Sequence, residues 1–169
     1  MSSNDQALTP QDEQDLVRLL AHQVVQVTAP EELLVFDETA EEYFADPHGV
    51  LAATGRDEAV GFGVDMALLT PYILAVATPV IQLLASMVGD ALKKEGQPSV
   101  HAFVRRLLRR DEGTQPAPAA ARPEPLTPDQ LARVRQVATE RGRAVGLPQD
   151  QADLLADAIA GGISVTPTT

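Results

Sequence analysis

Apolar positions along this chain recur mostly at helical spacing. Leu16, Leu19, Leu20, Gln23 and Val27, with Val24 widening the stripe, fall on one face of a 3.6-residue period. Thr9 precedes Pro10, and Asp12 stands in the first turn. A hydroxyl cap, a proline at the first helical position and an early carboxylate mark a helix start, so a helix is expected from about Pro10 to Val27. Pro30 restarts the chain. Leu33, Phe36, Ala40, Tyr43 and Phe44 then keep the helical period, and Glu31, Glu32, Glu38, Glu41 and Glu42 read as the outward face. Asp46-Pro47 ends that helix, because a residue before proline is pushed out of the α region.

From His48 to Asp65 the period is lost. Thr54-Gly55-Arg56-Asp57 is a turn signal. Val50-Leu51 and Val60 to Val64 could flank it as extended pieces, although Gly61 and Gly63 weaken regular structure there. A short β-hairpin near 50–64 and an irregular loop both fit. Thr70-Pro71 repeats the cap-then-proline signature, and the helix it opens is expected to reach about Glu95, with Lys93-Lys94 in its last turn and Gly96 beyond. Pro79 lies inside it. An interior proline removes a backbone hydrogen bond, which predicts a kink around Ala75 to Pro79 or two helices with Thr78 capping the second.

Pro98-Ser99 opens a shorter helix to about Arg110, with Val100, Phe103, Val104, Leu107 and Leu108 on its apolar face and Arg105, Arg106, Arg109 and Arg110 beside it. Asp111 to Pro125 is rich in Pro and Ala and has no apolar period, as in a semi-extended linker. Leu126-Thr127-Pro128-Asp129-Gln130 then supplies a staple residue, a cap, a first-position proline and the Gln of a capping box. A helix from about Pro128 to Val145 is stopped by Gly146, and a last one from Pro148 to about Ala160 by Gly161-Gly162. Leu131, Val134, Val137 and Ala138 are expected to pack on Leu154, Leu155, Ala158 and Ile159. This hairpin has too little core to stand alone, so it is expected to dock on the body or on a partner.

The fold class expected is therefore all-α: a helical body over 1–110, a linker over 111–125 and a helical hairpin over 126–162. Composition agrees. Hydrophobic residues make up 44% of the 169 and aromatics 4%, with no Trp, so a core of Leu, Val, Ile and Ala must form by close helix packing. There is no Cys, which excludes disulfides, thiol catalysis and Cys-ligated zinc. Arg outnumbers Lys 11 to 2, a bias of the kind a high-GC bacterial genome produces.

The net charge of −11 is uneven: residues 1–65 carry −12 (14 acids, 2 bases), 66–110 carry +4 (2 acids, 6 bases) and 111–169 carry −3 (8 acids, 5 bases). An acidic whole repels phosphates, which disfavours nucleic acid as a partner. The first twenty residues lack a basic segment followed by an apolar run, so the cytoplasm is the expected compartment.

No motif carries chemistry. His22, His48 and His101 do not sit in HExxH or three residues after a Glu. No Ser lies in GxSxG, and Gly61-Phe62-Gly63 is not a phosphate-binding loop. Glu38, Glu41, Glu42 and Asp46, like Asp150, Asp153 and Asp157, read as solvated helix faces, and no calcium-loop spacing is present. No enzyme activity, metal or cofactor is expected.

One stretch stands out. Met66 to Gly89 holds 24 residues without a charge, and about 20 apolar residues are enough to cross a bilayer. Acids precede it and bases follow, which would put its C-terminal side in the cytoplasm. Against insertion, Pro71 and Pro79 interrupt the run, and Thr78, Gln82, Ser86, Gly89 and Lys93 form a narrow polar seam, as on the central helix of a soluble bundle. The leading functional reading is a non-catalytic bacterial interaction or adaptor protein that docks a protein partner through its helical surfaces. The alternative is a membrane-associated protein inserting 66–89 with Arg105, Arg106, Arg109 and Arg110 on anionic lipid. Those four arginines are the candidate contacts in either case, unless they pair with the acidic first half of the chain. The pattern specifies no oligomeric state.

Overall fold

The computed structural model of the chain describes residues 8–59, 68–92 and 126–163 together with Val104 and Leu108, with the backbone alone at 55–59 and 88–92. Among the described residues there are six α-helices, one 3-10 helix and no strand. Helix α1 is Pro10–Thr28, and the 3-10 helix Pro30–Val35 leads into α2, Phe36–Ala45. Helices α3 (Pro47–Ala59) and α4 (Thr70–Leu92) follow, then the hairpin α5 (Pro128–Ala144) and α6 (Gln149–Ile163).

The helix starts are written locally. Thr9 Oγ1 accepts from Asp12 N at 3.1 Å and the Asp12 carboxylate accepts from Thr9 N at 3.3 Å, a reciprocal capping box. Thr127 and Gln130 repeat it on α5, at 3.2 and 2.9 Å. Helix α5 stops where Gly146 takes φ 106°, letting Leu147 N donate to Gly142 O and Gly146 N to Arg143 O, the two bonds of a Schellman motif.

Helix α4 is the axis of the molecule, packed against α1, α2, α3 and α5, while α6 lies against α1 and α5. Tyr72, Ile73, Leu74, Ala75, Val76, Ala77, Val80, Ile81 and Leu84 are all buried, which accounts for the near-continuous apolar run. Each fully buried Leu, Ile or Val contributes about 1.5–3 kcal/mol of transfer free energy. They share one cluster with Leu16, Leu20 and Val25 of α1, Phe36 and Ala40 of α2, and Val134, Ala138, Leu155, Ile159 and Ile163 of the hairpin. Val104 and Leu108 are helical and buried in the same core. The small residues allow close approach: a Cβ on Gly142 would stand 3.0 Å from the Ala152 Cβ.

Several expectations need correcting. The segment from Pro47 to Ala59 is a helix, not half of a β-hairpin or a loop. Asp46 both ends α2 and starts α3: its Oδ1 accepts from Gly49 N at 3.1 Å and its carbonyl from Val50 N. Asp46-Pro47 is thus the same cap-then-proline start found at Thr9-Pro10, and the turn signal at Thr54 to Asp57 is overridden by that cap and by packing of Val50, Leu51 and Thr54. The 60–64 part of the expected hairpin lies outside the described residues, as does the 111–125 linker. The second expected helix splits into a 3-10 turn and α2. Pro79 neither ends nor divides α4, which runs through it. Helix α6 continues through Gly161-Gly162 because Ile163 is buried in the core. Val27 and Leu154, expected inward, are 78% and 69% exposed.

Candidate functional site

The polar chemistry of the interior gathers at Pro79. An α-helical N–H bonds the carbonyl four residues back, so a proline at 79 leaves the Ala75 carbonyl without its donor. Arg141, on α5, fills the gap: its Nε reaches Ala75 O at 3.4 Å, the long end of the hydrogen-bond range. One residue before the proline, Thr78 Oγ1 donates to Leu74 O at 3.0 Å. The buried Tyr43 of α2 lies close to the Thr78 side chain. Burial pushes the Tyr43 phenol above its usual value of about 10, with Thr78 and the Arg141 charge pulling partly the other way. Side chains of α2 and α5 thus converge on one gap in the hydrogen-bond ladder of α4.

A second polar node stands at the start of α4. Glu32 is buried, and its carboxylate accepts from Leu69 N at 2.7 Å, Thr70 N at 2.8 Å and Thr70 Oγ1 at 2.6 Å. It therefore caps α4 from 37 to 38 residues away, where unpaired N–H groups and the positive end of the helix dipole favour an anion. Glu32 was expected on the outward face. Its burial follows from those three bonds, which replace the water a carboxylate would otherwise require. Thr70 is not the cap itself, since its hydroxyl donates to Glu32.

The polar seam of α4 lies partly at the surface. Gln82 and Ser86 are exposed, and Gln82 Nε2 reaches Glu13 Oε1 of α1 at 3.2 Å. The four candidate arginines, Arg105, Arg106, Arg109 and Arg110, lie outside the described residues. So do His101 and Gly61-Phe62-Gly63. Leu108, between them, is held by its carbonyl, which accepts from Gln23 Nε2. His22 meets the Phe36 ring edge-on with centroids 5.2 Å apart, and His48 is exposed. Glu38, Glu41 and Glu42 are exposed on α2, beside Leu34, which is 94% exposed in the 3-10 helix. Asp157 pairs with Arg135 at 2.6 Å across the hairpin. Among the described residues no group of three His, Cys, Asp or Glu side chains could hold a metal.

The nodes at Glu32 and at Tyr43, Thr78 and Arg141 escaped the sequence reading. Pro79 signals that the Ala75 carbonyl needs a donor, but nothing local says that the donor comes from α5. Comparison with family models, with curated proteins and with solved structures finds no match for the chain.

Proposed function

We propose that this chain is a non-catalytic helical interaction protein, an adaptor of bacterial type, that docks a partner protein through its helical surfaces. The observation that supports the reading best is Leu34. A leucine 94% exposed at the head of the acidic α2 face has no partner in its own core, and it stands where Glu31, Asp37, Glu38, Glu41 and Glu42 are also exposed. An exposed aliphatic side chain close in sequence to several exposed acids suits a basic protein surface better than lipid or nucleic acid, both anionic. The absence of any catalytic motif in the sequence agrees. The experiment is crosslinking capture in the native host with the wild-type chain and Leu34→Asp. A discrete partner held by the wild type and lost by the variant is expected. Equal capture by both would sink a docking role for this face.

The second reading, a membrane-associated protein, is favoured by one observation: Thr70–Met87 is a helix long and apolar enough to cross a bilayer, though 61% of it is buried. Insertion would exchange its packing against α1, α2 and α5 for lipid, and would place Arg105, Arg106, Arg109 and Arg110 on anionic headgroups. Fractionation separates the two. Pelleting that resists high salt and carbonate would replace the soluble adaptor reading, whereas recovery in the soluble fraction at low salt would end the lipid reading.

A further inference from the structure

Pro79 and Arg141 sit on different helices, 62 residues apart by number, yet one supplies what the other removes (141 − 79 = 62). Pro79 deletes the N–H that would have bonded the Ala75 carbonyl, and the donor found at that carbonyl is Arg141 Nε at 3.4 Å. It is a polar bond between α4 and the hairpin. Every other named residue on the hairpin's inner face is apolar or small: Val134, Ala138, Ala152, Leu155, Ala156 and Ile159. Apolar contacts of that kind press helices together but leave their sliding register loosely specified, whereas a single polar pair fixes it. We propose that the hairpin α5–α6 is a cover seated on α4, latched in register by Arg141 on the carbonyl that Pro79 leaves free, and that release of this latch uncovers the apolar flank of α4.

The latch gives Pro79 a role beyond the kink or helix break that an interior proline otherwise implies. It also explains why an exposed arginine sends its Nε inward to a backbone carbonyl. The carbonyl is fixed by the helix, cannot be satisfied within it, and faces α5.

The test is a double-mutant cycle on the full chain: wild type, Arg141→Met, Pro79→Ala and the double variant, each followed by native-state amide exchange. Arg141 is exposed on its helix, and Met keeps most of its aliphatic stem, so the variants should fold. In the Pro79 background, Arg141→Met is expected to speed exchange of the α5 and α6 amides roughly fivefold, the worth of one net hydrogen bond. The α1 amides should be little changed. Pro79→Ala restores the missing N–H, so the same Arg141→Met change should then have little effect. Two results would overturn the latch: additive effects of the two substitutions, or an equal rise in exchange across α1, α5 and α6, which would mean that the hairpin never opens as a unit.

Discussion

Two residues show how a buried polar group is tolerated only with its partners in place. Glu32 holds three donors at the start of α4. Glu32→Ala leaves two backbone N–H groups and a hydroxyl in a buried corner without an acceptor, so a loss of about 2–3 kcal/mol is expected in urea unfolding. Glu32→Gln keeps one acceptor oxygen and should fall between. Tyr43 gives a pH signature. Its folded pKa is raised by burial, so the folded state keeps the phenolic proton after the unfolded state has begun to lose it. The stabilisation is whole below about pH 10, where the unfolded phenol titrates, and is lost as pH rises through the higher folded value. Tyr43→Phe should therefore cost about 0.5–1.5 kcal/mol near neutrality and lose less stability than the wild type above pH 10, read from thermal melts across that range.

At the scale of the element, the helix boundaries separate glycines by what their backbone and neighbours permit. Gly161 lies inside α6, and a Cβ there meets nothing within 4 Å. Gly161→Ala should stabilise by about 0.5–1 kcal/mol, since alanine loses less conformational entropy in a helix. Gly49 is the opposite case. A Cβ there would stand 2.1 Å from Asp46 Oδ2, the side chain that caps α3. Gly49→Ala must push that carboxylate off the helix start, and a loss of about 1 kcal/mol is expected, with reduced helicity confined to α3 by amide exchange. The cap-then-proline pairs at Thr9 and Thr127 were readable because each needs only three or four consecutive residues. Asp46-Pro47 reads in the sequence as a stop alone because the stretch after it, with Gly49 and Gly55, has no strong apolar period. The start of α4 was half readable: its place is marked by Thr70-Pro71, but its capping anion is remote.

For the whole molecule, the hairpin is the part whose stability depends most on its surroundings. It spans 38 residues from Leu126 to Ile163, and its inner face is completed only by α1 and α4 (163 − 126 + 1 = 38). A peptide of that span is expected to show little helix by circular dichroism and no cooperative melt, since chains below about 40 residues rarely bury enough surface to fold alone. A cooperative transition in the isolated peptide would mean that the hairpin carries its own core. The functional surface is harder to foresee at this scale. Val27 and Leu154 fit helical periods that predict burial, and Leu34 falls outside the apolar stripe that begins at Leu33; all three are exposed.

By itself the sequence determined the all-α class, the starts of α1, α5 and α6, the place where α4 begins and the stop at Gly146. Each follows from interactions within a turn or two, or from a period repeated along one element. The tertiary structure alone decided that Glu32 turns inward, that Pro79 is absorbed into an unbroken α4, and that Arg141 and Tyr43 meet at the resulting gap. Those outcomes depend on an acceptor or donor brought from a distant segment, and a free backbone group records the need for a partner without naming which one will arrive.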